Sequence, residues 1–196
     1  MQTVRAIETQ YAGCRFRSRL EARWAVFFDQ LGVPWEYEPQ GFELDGRRYL
    51  PDFFLPSIDT WYEVKGKRPT HEEYLLAWDL ERSTGQRVAI AWGDIPRSVD
   101  EFGRDPMQEA GLRGIDCGEY AWCICTGCGK AGIEFEGRSP RICNPEQQGK
   151  YPRNADHPRI LWAFTAARSA RFEHGDRPIV NMNLRPYPST AADRNP

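Results

Sequence analysis

Asp52 and Glu63 each stand among large apolar residues in the stretch YLPDFFLPSIDTWYEVKGK, residues 49–67, and Lys65 follows the second acid by two positions. YLPDFFL and TWYEVK read as strands joined through PSID. With Leu55 opposite Thr60, an antiparallel hairpin sets Asp52 against Glu63, on the same face as Lys65, because strand side chains alternate with period two. Directly opposed residues have Cβ atoms about 4.5–5.5 Å apart, where like charges are ordinarily destabilising. A divalent cation removes that repulsion. Two hard oxygen ligands on rigid strands suit Mg²⁺, which takes one or two carboxylates and completes its shell with water and phosphate oxygens. Lys65 is then placed to orient or deprotonate a water and to offset charge growing on a phosphate. The plainer alternative is a surface ion-pair cluster on a hairpin, and the apolar neighbours of both acids argue against it.

A second group of chemically capable side chains lies further along, where five of the six cysteines fall between Cys117 and Cys143. Cys125-x-x-Cys128 followed by Gly129 has the shape of a zinc knuckle, in which two thiolates grip one ion and glycine permits the tight turn. Cys143 is the expected third ligand, reached through a hairpin over GIEFEGRSPRI. The fourth is open between Cys123, the nearest, and Cys117 or His157. A cysteine-rich shell of this kind is structural, since no coordination position is left for substrate. Its alternative is a set of reduced, half-buried thiols without metal. Cys14, alone beside Arg15, reads as packing.

The elements that must position these groups are legible in part. SRLEARWAVFFDQL, Ser18 to Leu31, places Leu20, Trp24, Phe27, Phe28 and Leu31 at helical spacing, with Gly32 and Pro34 as a stop signal. WEYE at 35–38 reads as a strand, and FELDGRRYL as a hairpin turning at Asp45-Gly46. Thr70 and Glu73 have capping-box spacing ahead of a helix that ends at Gly85, and RVAIAWG is a short buried strand. Helix, three or four strands, helix and strand make an α/β unit over residues 1–95. Residues 96–115 read as a linker, 116–175 as a small zinc-ribbon-like module with the amphipathic helix RILWAFTAARSARFE, and 176–196 as an extended or disordered tail.

Composition sets the outer limits. The 196 residues are 40% hydrophobic and 28% charged with seven tryptophans, which implies a folded core, and the net charge of −2 does not by itself announce a nucleic-acid partner. Residues 150–196 nevertheless carry eight Lys/Arg against four acids. No apolar run approaches the roughly 18 residues of a membrane span, and arginines interrupt the N-terminal stretch where a signal peptide would need an apolar run. The expected location is the cytoplasm, with no membrane partner.

Pro51-Asp52 and Glu63-Val64-Lys65 resemble the signature of the PD-(D/E)XK nuclease superfamily, closest to the compact branch found in phages and mobile elements. The resemblance covers about the first 95 residues. It implies a restriction-endonuclease-like core and Mg²⁺- or Mn²⁺-dependent hydrolysis of DNA phosphodiesters, leaving a 5′-phosphate. It further implies that Asp52 and Glu63, with the Val64 carbonyl, hold metal, that Lys65 serves the nucleophile, and that Glu21 on the first helix orients water or a second ion. Ser18-x-x-Glu21 is equally a capping box, and both roles are compatible. Arg47, Arg48, Lys67 and Arg68 are candidate phosphate contacts, and cutting both strands of a duplex would call for a homodimer. Two rival readings are a catalytically silent nucleic-acid-binding module of this fold and an RNA-cutting relative. Trp24, Trp35, Trp61, Trp78 and Trp92 are expected in the core.

Overall fold

The computed structural model describes residues 7–96, 107–109, 120–135 and 157–172, the stretch 107–109 through its backbone alone. Its elements run β1 (Thr9–Tyr11), β2 (Cys14–Phe16), α1 (Arg19–Leu31), β3 (Glu36–Tyr37), β4 (Phe42–Leu44), β5 (Arg47–Tyr49) and β6 (Phe53–Leu55). A 3-10 turn (Pro56–Ile58) leads into β7 (Thr60–Lys65), α2 (His71–Thr84), β8 (Arg87–Trp92), β9 (Met107–Glu109), β10 (Tyr120–Ile124), β11 (Ala131–Phe135) and α3 (Pro158–Ser169). The architecture is mixed α/β.

Local chemistry accounts for the helix ends. Ser18 Oγ accepts the Glu21 N–H at the start of α1, and Gly32, at φ 74°, closes it in a left-handed conformation that costs glycine little. In α2 the capping box is reciprocal: Glu73 N–H donates to Thr70 Oγ1, and Thr70 N–H donates to Glu73 Oε2 at 2.7 Å. The Asp45-Gly46 turn has both residues at positive φ, 48° and 75°, which matches the twist of the β4–β5 hairpin it joins.

Five strands form one sheet in the order β3-β6-β7-β8-β9. All neighbours are antiparallel except β7 and β8, which run parallel and are joined by the α2 crossover. Period two then sorts the side chains. Phe53, Leu55, Tyr62, Val64, Ala89 and Ala91 enter the core shared with α1, whereas Trp61, Val88 and Ile90 pack with Tyr74, Ala77 and Leu80 of α2 on the other face. Glu63 and Lys65 share the parity of Trp61, which points them to the α2 side.

Two sequence expectations are corrected here. The stretch 96–115, read as linker, contributes β9, whose three residues carry no strand pattern and pair with the edge of β8. The change of composition at residue 116 does not mark a separate core. Trp122, Ile124 and Ile133 of the β10–β11 hairpin and Ile160, Phe164 and Ala167 of α3 belong to the same buried cluster as Trp24, Phe27 and Phe28 of α1. The Phe27 and Phe164 rings stack at 4.5 Å, and Trp122 is fully buried against both Phe27 and Tyr62. Arg159 adds a polar staple, donating to Gly129 O at 2.7 Å and to Leu31 O at 3.0 Å. Its fork ties the hairpin turn, the end of α1 and the start of α3 together. Trp78 also departs from expectation: it is 37% exposed, with the Arg82 guanidinium over its ring.

Ala131–Phe135 pairs back onto Tyr120–Ile124 as the β10–β11 hairpin, and residues 136–142, the remainder of the hairpin expected over GIEFEGRSPRI, lie outside the described residues. The expected tail, 176–196, lies outside the described residues. No helix among the described residues is long and apolar enough to cross a membrane.

Candidate active site

Leu55 pairs with Thr60, the expected register, and this brings Asp52 and Glu63 together at the end of the β6–β7 ladder. The acids interlock through the main chain. Asp52 N–H donates to Glu63 Oε2 at 3.2 Å, and Val64 N–H donates to Asp52 Oδ2 at 2.7 Å. Each carboxylate thus commits one oxygen to the backbone beside the other acid. The remaining oxygens meet cations: Arg17 Nη2 lies 2.5 Å from Asp52 Oδ1, and Lys65 Nζ lies 2.8 Å from Glu63 Oε1.

Both acids are buried, at 3% and 4% exposure, yet they line a cavity of about 580 Å³ that opens to solvent. Glu21, Val64, Lys65, Glu73, Arg17, Arg48 and Tyr49 border the same space. Glu21 both caps and lines: Ser18 Oγ donates to its Oε1 at 2.7 Å, while Tyr37 Oη and the Arg17 N–H donate to Oε2 at 2.6 and 3.1 Å. Of the four basic residues offered as phosphate contacts, Arg48 borders the cavity, Arg47 pairs with Asp79 on α2, and Lys67 and Arg68 are exposed just beyond β7.

The electrostatics express crowded negative charge. Burial, then the Glu63 and Glu21 charges, push the Asp52 carboxyl well above the usual carboxylate value, against the Val64 N–H and Arg17, which pull it down. Tyr49 is pushed well up by burial, then by the Glu63 and Asp52 charges. Burial works to lower the Lys65 pKa, but Glu63, its hydrogen bond, Glu73 and Asp52 outweigh it and raise the value. Lys65 is therefore an ammonium at neutral pH.

Several of these partners carry no local signal in the sequence. Arg17, Tyr37 and Tyr49 are brought in by tertiary structure, Arg17 from 35 positions before Asp52. Glu73 is visible as a capping residue, but its other oxygen lies 3.3 Å from Lys65 Nζ, so one side chain caps α2 and holds the lysine.

The donor set at Asp52 and Glu63 fits a hard divalent cation: two buried carboxylates facing a water-accessible cavity, with like-charge repulsion offset by two exchangeable side-chain cations. The cysteine region is different. Cys123 in β10 and Cys125 just after it are buried, Cys128 is exposed in the turn, and Cys117 and Cys143 lie outside the described residues. Among the described residues no three His, Cys, Asp or Glu side chains gather as a metal cage. Those thiols alone do not fit a closed zinc shell. His157 serves as the N-cap of α3, its Nδ1 accepting the Arg159 N–H at 3.2 Å.

Comparison of the chain with protein-family models, with curated proteins and with solved structures finds no match.

Proposed function

We propose that this chain is a divalent-metal-dependent DNA endonuclease of the PD-(D/E)XK type. The observation that carries the reading is the reciprocal lock between Asp52 and Glu63, which holds two like-charged, buried carboxylates side by side with Lys65 on the second. A hairpin optimised for stability alone would not bury such a pair, because each buried carboxylate costs several kcal/mol before its partners compensate, on the order of magnitude known for ions. The order α1, antiparallel β3-β6-β7, α2 and a β8 parallel to β7 supports a restriction-endonuclease-like core.

In this reading Asp52 and Glu63 would hold Mg²⁺ or Mn²⁺, with the Val64 carbonyl as a further ligand. The bound ion supplies an acidified water and positive charge at the phosphate. Lys65, charged and fixed between Glu63 and Glu73, orients the attacking water and stabilises the negative charge that grows on the phosphodiester oxygens. Glu21, rigid in its hydrogen-bond network, presents a carboxylate to the same cavity and orients water there. Arg48, Lys67 and Arg68 supply sequence-blind phosphate contacts.

The test is cleavage of supercoiled, linear and branched DNA with Mg²⁺ or Mn²⁺ by the native protein, Asp52→Ala and Lys65→Ala. Each variant is expected to lose activity by about 100-fold or more, the scale for a residue acting at the reacting centre. Equal cleavage by all three refutes the reading. Matched RNA oligonucleotides in the same assay separate DNA from RNA as substrate, and DNA binding without cleavage by the native protein identifies a silent binding module.

A further inference from the structure

Arg17 is the cavity residue whose position the reading above leaves unexplained. It sits immediately before the Ser18 cap of α1, and its guanidinium bridges two acids: Nη2 to Asp52 Oδ1 at 2.5 Å and Nε to Glu38 Oε1 at 2.7 Å. Those two contacts differ in kind. The Asp52 contact is an aligned hydrogen bond, whereas Glu38 Oε1 is buried and receives none, so the guanidinium meets it by charge alone. Two carboxylates share one cation, and Asp52 holds the better half.

Glu38 is held there at a cost. Its backbone is left-handed, φ 46°, a conformation disfavoured for a side chain of this type, and its N–H donates to Asp52 O at 2.8 Å. The strained residue is thus tied to the main chain of the acid whose side chain takes Arg17. Although the guanidinium is anchored at both acids, the Arg17 side chain is 55% exposed and borders the open cavity. It can turn toward solvent without unpacking the core.

We propose that Arg17 is the phosphate clamp of this site, held on Asp52 as an internal counter-ion in the metal-free protein and released to a backbone phosphate of the nucleic acid when a divalent cation binds Asp52. This rests on the nuclease reading. Asp52 Oδ2 is committed to the Val64 N–H, so Oδ1, the oxygen under Arg17, is the one left for a cation. Loss of that partner leaves Arg17 pivoting on Glu38, with a planar fork suited to two phosphate oxygens. Arg17 and the metal then compete in the free protein and cooperate once substrate is bound.

The experiment compares native protein with Arg17→Gln and Glu38→Gln in two measurements, with thermal melts confirming that each variant folds. Mn²⁺ titration without DNA is expected to show tighter binding by Arg17→Gln, several-fold, because the internal competitor is gone. Glu38→Gln is expected to bind Mn²⁺ more weakly than native, because Arg17 then has Asp52 alone. DNA binding with Ca²⁺ in place of the catalytic metal is expected to weaken about tenfold in Arg17→Gln, with the slope of log affinity against log salt reduced by roughly one phosphate contact. Unchanged or weaker Mn²⁺ binding by Arg17→Gln, or an unchanged salt slope, overturns the proposal and leaves Arg17 a structural ion pair. That failure is distinct from failure of the nuclease reading, which is registered by full cleavage in Asp52→Ala.

Discussion

The backbone N–H of Asp52 donates to Glu63 Oε2, so the main chain at the first acid fixes the side chain of the second. The Val64 N–H returns the bond to Asp52, and neither carboxylate can shift without disturbing the strand that carries the other. Burial keeps both desolvated. The result is a preorganised pair of buried carboxylates whose mutual repulsion is a feature of the folded state, offset by Arg17 and Lys65.

That repulsion has a signed consequence for stability. Asp52 has its pKa raised, first by burial and then by Glu63 and Glu21, from an ordinary value of 3.8. An acid raised in the folded state loses stability as pH climbs from the unfolded value through the folded one. Asp52→Asn keeps an oxygen for the Val64 N–H and forfeits an ion pair to an exposed arginine, a contact of small worth. The metal-free variant should therefore melt above native protein at pH 7, by about 2–4 °C for each kcal/mol gained in a chain of this size. The gain should shrink toward pH 4. A Tm below native at pH 7 would contradict the crowding.

Glu73 offers a separate test of how Lys65 is held. Glu73→Gln retains an acceptor for the capping box, so α2 should keep its stability within about 1 kcal/mol. It removes one of the charges that raise the Lys65 pKa, which should fall. Because a raised lysine contributes stability that persists below its unfolded value, 10.5, and is lost as pH rises through the folded one, the variant should show a weaker alkaline loss. Heteronuclear NMR titration of the lysine side chains reads the shift directly; an unmoved Lys65 would show that Glu73 serves the cap alone.

The thiols can be ranked by reactivity. Cys123 is pushed up to about 12 by burial, then by Glu134 and Cys125, whereas Cys128 is exposed. Alkylation of the folded protein near pH 8 should modify Cys128 and spare Cys123, with unfolding abolishing the difference. A zinc ion held by Cys125, Cys128 and Cys143 would protect Cys128 until a chelator is added, so parallel reactions with and without chelator, alongside metal analysis, test the expected zinc centre.

Much of this organisation is written in short-range patterns. Ser18, Gly32, Thr70, Glu73 and Gly85 mark helix ends because capping is chemistry between near neighbours. Asp45-Gly46 sets one hairpin, and the apolar alternation around PSID sets the β6–β7 register that joins the two acids. Long-range features leave no such mark. Met107–Glu109 is a strand because β8 offers an edge, and Trp122 joins the α1 core although cysteines dominate its neighbourhood. Arg17 and Glu38 reach Asp52 through tertiary folding, which periodicity cannot register.

The claim beneath all of this is that Asp52 and Glu63 bind one divalent ion together. Mn²⁺ binding followed by calorimetry or electron paramagnetic resonance on native protein, Asp52→Asn, Glu63→Gln and the double variant tests it without requiring turnover. The account predicts one tight ion per native chain, a loss of at least about tenfold in either single variant, and a double-variant loss smaller than the sum expected for independent sites. Native affinity in both single variants would contradict it.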